Sequence, residues 1–296
     1  MRILLTGSNG MVGSNLSKEL TGTQHTTLAT GRLASRLPHQ YFHDRFQYQS
    51  LDITQKEDVL ETVSSFKPDI IIHAAAMTQV DECEQQKMQS YRTNVDATDH
   101  LIAAAEEVNA RFCYLSTDFV FSGDNGPYRE GDETCPVNFY GMTKELAEQH
   151  IIESNLSWTI LRTILLYGKA DHLNRSNFIY WVKENLEANK PIKVVADQIR
   201  TPTFIPDLIK AIITTSEKGA QGIYHISGME VMSPYEMSLI IAKKLDLNAG
   251  LIQPVDANTF TQIGRRPLKT GFVIDKAMKD INFRHTPFEQ ALDLIF

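Results

Sequence analysis

Short apolar runs alternate with amphipathic stretches through the first half of the chain. The runs at 3–6, 26–30, 46–51, 69–73, 111–116 and 158–161 are too short for stable helices, and each predicts a strand. The run at 46–51 is the weakest of them. Asp69-Ile70-Ile71-Ile72-His73 lacks polar alternation, the mark of a strand buried on both faces. Between these runs apolar residues recur at helical spacing over 12–20, 57–66, 88–108 and 140–153, with Pro68 ending the second. Strands alternating with helices of ten or more residues imply βαβ units, a parallel sheet and right-handed crossovers. From about Leu166 the rhythm changes. Helical spacing at 178–186, 208–215 and Pro234–Lys244 is mixed with short strands at Ile192–Val195 and 223–226, and the loops carry more Pro, Asn and Gly. The expected fold class is α/β. A doubly wound parallel sheet occupies residues 1–165 and receives some later segments, and a smaller α/β domain lies mainly within 166–296.

The first turn carries the strongest local signal, Gly7-Ser8-Asn9-Gly10-Met11-Val12-Gly13, directly after a strand and opening a helix. Glycines there permit a tight turn and close backbone approach, and the helix N-terminus offers free N–H groups and a partial positive charge to a pyrophosphate. The spacing is G-x-x-G-x-x-G rather than G-x-G-x-x-G, without the Lys of a P-loop. In this setting it points to a Rossmann-like dinucleotide site. After the second strand, where an acidic residue would receive the ribose 2′-hydroxyl of NAD, the chain has Gly31-Arg32 with Arg36 one turn on. A cation there suits a 2′-phosphate, so NADP is favoured over NAD. Asp52, at the end of the third strand, can accept from an adenine amino group or cap the next helix.

Tyr140 and Lys144 stand at i, i+4 on one helix face. A neighbouring ammonium lowers a phenol pKa, which makes Tyr140 a candidate general acid for a carbonyl oxygen. Ser116-Thr117-Asp118 ends a strand upstream, and strand carboxyl ends are where open α/β sheets bind ligands. Competing chemistries are poorly served. There is no G-x-S-x-G and no H-E-x-x-H, and His39 and His43 lie in a Pro- and Gln-containing loop, so no metal is expected.

Composition narrows the setting. The chain has 296 residues, 42% of them hydrophobic, and a net charge of −7, which disfavours non-specific nucleic-acid binding. Three cysteines without a CxxC read as a reducing compartment. No signal-peptide pattern and no apolar stretch long enough to span a bilayer is present, so the expectation is a cytoplasmic chain without membrane partners.

Taken together the motifs resemble the dTDP-4-dehydrorhamnose reductase family of the extended short-chain dehydrogenase/reductase superfamily. The resemblance rests on Leu51-Asp52-Ile53-Thr54, His73-Ala74-Ala75-Ala76-Met77-Thr78, Thr93-Asn94-Val95, Leu115-Ser116-Thr117-Asp118-Phe119-Val120-Phe121 and Val137-Asn138-Phe139-Tyr140-Gly141. It continues through Leu161-Arg162-Thr163, Asn177-Phe178, Asp197-Gln198, Thr201-Pro202-Thr203 and Arg266-Pro267, collinear over essentially the whole chain. It implies reduction of the C4 keto group of a dTDP-linked deoxysugar by NAD(P)H. Thr117, Tyr140 and Lys144 would be the catalytic set. Gly7, Gly10, Met11, Val12 and Gly13 would hold the pyrophosphate, Asp52 and Ile53 the adenine, and Ala74, Ala75 and Ala76 the nicotinamide ribose. Asn94 and Ser116 would also lie on the cofactor side. Thr78, Asp118, Phe119, Leu165, Asn177, Gln198 and Arg200 would face the sugar nucleotide.

The departures cluster on that sugar side. Ile164-Leu165 replaces a Ser-Trp pair, Phe119 replaces a Tyr, Ser122 replaces an acid, and Arg200 replaces a Gly and is a candidate to pair with a diphosphate. Other keto-sugar reductases, epimerases or dehydratases of the superfamily are the alternatives, as is a non-catalytic subunit like the methionine adenosyltransferase β subunit, which resembles this family. Because C-terminal helices face outward in many proteins of this kind, the same resemblance leads to the expectation of a homodimer.

Overall fold

The apolar runs become the strands β1 (Arg2–Thr6), β2 (Thr26–Gly31), β3 (Phe46–Ser50), β4 (Ile70–His73), β5 (Arg111–Thr117) and β6 (Trp158–Thr163). The later strands are β7 (Leu166–Tyr167), β8 (Ile192–Val195), β9 (Thr203–Phe204), β10 (Gly222–Ile226) and β11 (Ile252–Val255). These come from a computed structural model that describes residues 1–169 and 178–296, so Asn177 lies outside the described residues. Seven strands form one parallel sheet in the order β10-β6-β5-β4-β1-β2-β3. The winding reverses between β1 and β4. That reversal leaves a crevice at their carboxyl ends, where open α/β sheets take ligands.

Strand alternation divides the burial between two faces. Ile3, Leu5, Ile70, Ile72, Cys113 and Leu115 pack with helices α1 (Met11–Thr21) and α8 (Ile205–Lys218). Leu4, Ile71, Phe112 and Tyr114 pack with α2 (Lys56–Phe66), α5 (Ala97–Val108) and α6 (Phe139–Glu153). Both faces of the sheet are covered, which is why Ile70-Ile71-Ile72 carries no polar position.

One feature departs from the periodicity. After a short helix α3 (Val80–Gln85), the helix expected over 88–108 is broken into α4 (Lys87–Tyr91), a π turn at Arg92–Asp96 and then α5. The break coincides with Asn94, whose side chain is drawn off to Met77 and Thr143. The later half returns to the first sheet, supplying β10 at its edge and α8 against α1.

The remaining elements are α7 (Phe178–Glu187), α9 (Pro234–Lys244), α10 (Asp275–Asp280) and α11 (Phe288–Ile295). Helices α7, α9 and α11 enclose a separate apolar core with β8 and β11, built on Tyr167, Val182, Met237, Ile241, Phe288 and Leu292. Among the described residues, no helix is long and apolar enough to cross a membrane, and no cluster of His, Cys, Asp and Glu is fit to hold a metal.

Candidate active site

The three glycines of the first turn do different work. Gly7 has φ +73°, and a Cβ on it would press on the backbone of Ala75. A Cβ on Gly13 would collide with the carbonyl of Gly7, so this glycine lets α1 close onto β1. Gly10 is less constrained than these two, since a Cβ would stand 3.3 Å from Gly7 O, a tight contact short of a collision. Helix α1 also has no side-chain cap and no acidic residue in its first turn, and Met11 and Val12 are only partly covered. A helix end left bare behind a glycine turn fits a pyrophosphate. Ser116 Oγ, buried without a hydrogen-bond partner at the end of β5, is a second polar atom suited to a ligand.

Asn9 joins this turn to the loop after β2. Its amide donates to Ala34 O at 3.2 Å and its carbonyl accepts from Arg36 N at 2.8 Å. Tyr48 braces the same loop by donating to Gly31 O and Leu33 O. Arg32 and Arg36 are thereby held beside the turn with both side chains exposed. At the other end, Asp52 Oδ1 accepts from Thr54 N and Thr54 Oγ1, a local turn that leaves its second oxygen available. The helix cap read from sequence is absent, because α2 begins only at Lys56 behind Gln55. Ile53 is buried, and its carbonyl lies 3.1 Å from His100 Nδ1.

Ala74, Ala75 and Ala76 leave β4 half-buried at the crevice. His73, which sequence reasoning passed over, fixes that departure: Nδ1 is 2.7 Å from Thr6 Oγ1 and Nε2 is 3.2 Å from Thr98 Oγ1. Burial, with Lys144 adding to it, brings His73 down to about 3, so it is neutral at pH 7. Asn94 sits nearby with its carboxamide engaged. It accepts from Met77 N at 2.8 Å and donates to Met77 O and Thr143 Oγ1, both at 3.0 Å. Thr78 is exposed just beyond.

Thr117 closes β5, and its hydroxyl is within hydrogen-bonding reach of the Tyr140 phenol. Tyr140 lies in the first turn of α6, where Asn138 caps the helix by accepting from Gly141 N at 2.8 Å. The Tyr140 ring packs on Val80 and Cys83 and meets Phe119 edge-on at 5.7 Å. One turn later, Lys144 Nζ donates to Leu115 O at 2.7 Å and lies 3.9 Å from the centre of the Tyr114 ring.

The electrostatics differ from the expectation that Lys144 lowers the phenol. Burial dominates and raises Tyr140 well above 10, with Thr117 opposing, so the phenol is fully protonated. Burial also draws Lys144 down to about 7, with Glu148 opposing. Between pH 7 and 9 the unfolded chain therefore keeps a proton that the folded chain has released, and stability rises with pH. Lys144→Met should remove up to about 2.5 kcal/mol of that rise, read by urea denaturation at both pH values. An identical rise in the variant would refute the assignment.

Arg200 is not the open anion-binding cation that sequence suggested. Its guanidinium is buried, with Nε 3.7 Å from Asp118 Oδ2, Nη1 donating to Ile199 O and Leu268 O, and Nη2 donating to Pro267 O. Asp118 also accepts from Thr117 and Thr270, so this pair joins the end of β5 to the later half of the chain. Gln198 precedes it, with a buried Nε2 that has no partner. Leu165 adopts φ +35°, an unusual conformation for a branched residue, between the core of α1 and α8 and that of α7, α9 and α11. Sequence reasoning also missed Glu148. It stands at i+4 from Lys144, and its two oxygens take Arg162 Nε at 3.0 Å and Nη2 at 2.6 Å.

A glycine turn at the switch of a parallel sheet, with Thr, Tyr and Lys gathered at β5 and α6, defines an extended short-chain dehydrogenase/reductase, a class of NAD(P)-dependent oxidoreductases. More narrowly, the chain belongs to the family described as RmlD substrate binding domain, whose model matches residues 1–296. It is similar to the dTDP-4-dehydrorhamnose reductase of Aggregatibacter actinomycetemcomitans, with 29% identity over 98% of this chain and 97% of the relative. It is also similar to methionine adenosyltransferase 2 subunit beta of Pongo abelii, with 30% identity over 86% of this chain and 75% of the relative. Among solved structures, the dTDP-4-dehydrorhamnose reductase of Bacillus anthracis in complex with NADP superposes with a TM-score of 0.84 at 29% identity, covering 100% of this chain and 98% of that one.

Proposed function

We propose that this protein reduces the C4 keto group of a dTDP-linked deoxysugar with NADPH, with dTDP-4-dehydrorhamnose as the leading substrate. The nicotinamide, when bound, supplies hydride to the carbonyl carbon. The protein's own part is to hold the carbonyl and deliver a proton. Thr117 and Tyr140 present two hydroxyls within reach of one another, so a carbonyl oxygen between them receives hydrogen bonds from both. Tyr140 gives its proton to that oxygen as charge develops on it. Lys144, one turn on and donating to Leu115 O, fits a sugar hydroxyl of the nicotinamide riboside. Ser116, Ala74, Ala75 and Ala76 line the nicotinamide end, and Met11, Val12 and the glycines take the pyrophosphate. Leu165, Phe119 and Thr78 border the sugar.

The observation that carries the reading is the Thr117–Tyr140 contact with Lys144 one turn below, at the carboxyl end of a parallel sheet. The test is NADPH oxidation by the purified protein with dTDP-4-dehydro-β-L-rhamnose, with product identified as dTDP-rhamnose. No oxidation while NADPH still binds overturns it. That result would favour a second reading, a dinucleotide-binding partner subunit, which the relatives named methionine adenosyltransferase 2 subunit beta support.

NADPH preference is assigned to Arg32, assisted by Arg36. Asn9 ties their loop to the turn that takes the pyrophosphate, so an exposed guanidinium is available to a 2′-phosphate. Arg32→Ala should weaken NADPH by about tenfold or more and leave NADH within about twofold, since a charge-assisted contact contributes about 1.5–3 kcal/mol. Equal losses for both cofactors, measured by fluorescence titration, would exclude the role.

A further inference from the structure

The segment 263–273 crosses the carboxyl end of the sheet like a strap and gives its polar groups to partners far away in sequence. At one end Asp81, on α3, accepts from Ile263 N at 3.1 Å and Gly264 N at 3.0 Å, and its same oxygen meets the Arg266 guanidinium. Asn138 Nδ2 donates to Arg265 O at 2.8 Å. At the other end the Thr270 hydroxyl donates to Asp118, and Arg200 holds Pro267 O and Leu268 O. The strap therefore touches the neighbour of Thr117 and the cap residue two positions before Tyr140.

Helix α3 is the platform for its first part. Gly264 lies so close to Val80 that a Cβ would come within 2.7 Å of Val80 Cγ1, and Val80 packs in one apolar cluster with Tyr140 and Cys83. The same short helix caps α6 from outside, because Glu84 Oε1 accepts from Phe139 N at 2.7 Å. Asp81 and Glu84 thus serve two jobs a turn apart: one holds the strap, the other holds the start of the helix that carries Tyr140. Anchorage differs between the ends. Arg200 and Asp118 are 6% and 3% exposed, whereas Arg266 and Asp81 are 20% and 40% exposed. Beside Asn138 and the packing on Val80, the outer end is held by one carboxylate at the protein surface, which gathers three of its donors.

We propose that Asp81 is a positioning residue that clamps 263–266 onto α3, so that this segment forms a wall of the sugar-nucleotide cleft beside Tyr140. The inference rests on the reductase reading for its substrate and on the contacts above for its geometry. It makes no demand on the cofactor, whose turn, loop and alanines lie on other elements.

Two measurements test it. In steady-state kinetics Asp81→Ala should raise KM for the sugar nucleotide by about tenfold, with kcat and the NADPH Kd within about twofold, the pattern of lost ground-state binding. Asp81→Asn keeps an acceptor for both N–H groups and should fall between the variant and the wild type. Independently of substrate, trypsin should nick the variant after Arg265 about tenfold faster than the wild type, since a released segment opens locally. The bond after Arg266 precedes Pro267 and resists trypsin. An unchanged KM, unchanged nicking, or equal losses in NADPH affinity and kcat would each overturn the proposal. A wild-type protein that turns over no sugar nucleotide is a failure of the reductase reading, whereas unchanged nicking is a failure of the clamp.

Discussion

Tyr140→Phe is expected to lower kcat by about 10²–10⁴ while leaving the NADPH Kd within about twofold. The substitution removes one hydroxyl and keeps the ring. Phe retains the packing on Val80 and Cys83 and the edge contact with Phe119, so α6 and its caps stay in place. What is lost is the only proton the ring can give, held ready because burial keeps the phenol protonated across the working pH range. Single-turnover reduction with saturating NADPH measures the step directly. Full activity in the variant would remove Tyr140 as the acid and return attention to Thr117.

The second large effect falls on stability. Glu148→Ala should cost about 3–5 kcal/mol, because it leaves the Arg162 guanidinium buried without its counter-charge. Both side chains are 3% exposed, and the pair is bidentate. Arg162 would keep only a long contact to Glu130 O at 3.4 Å and the face of the Phe121 ring. Replacing both partners, as Glu148→Leu with Arg162→Met, should recover most of the loss, since two apolar groups demand no solvation. Glu148 is also the charge that holds up Lys144, so Glu148→Ala should move the Lys144 titration further below its value of about 7. Urea denaturation at pH 7 reads the stability. A double variant no more stable than the single would show that packing, not the uncompensated charge, sets the cost.

Sequence reading reached the elements that border the crevice because their signals are local. A glycine turn between strand and helix, an arginine after β2 and a Tyr–Lys pair at i, i+4 each lie within a few residues, and the structure positions them as one would build them from the sequence. The helix expected at 88–108 failed for a tertiary reason. Its periodicity is real, but Asn94 is pulled toward Met77 and Thr143, and the backbone yields a π turn there. Arg200 misled for the same reason, since nothing nearby in sequence announces Asp118 or the carbonyls of 267 and 268.

By itself, then, the sequence determined the parallel α/β plan, the glycine turn between β1 and α1 and the spacing of Tyr140 and Lys144 on α6, because strand and helix periods and short motifs are written in neighbouring residues. Only the tertiary structure decided that β10 and α8 return to the first sheet, that burial rather than Lys144 governs the Tyr140 phenol, that Arg200 is spent inside on Asp118, and that Asp81 and Asn138 hold the strap. Burial and pairing across 80 to 185 residues are properties of packing, and no local pattern encodes which charge will be desolvated or which partner will meet it.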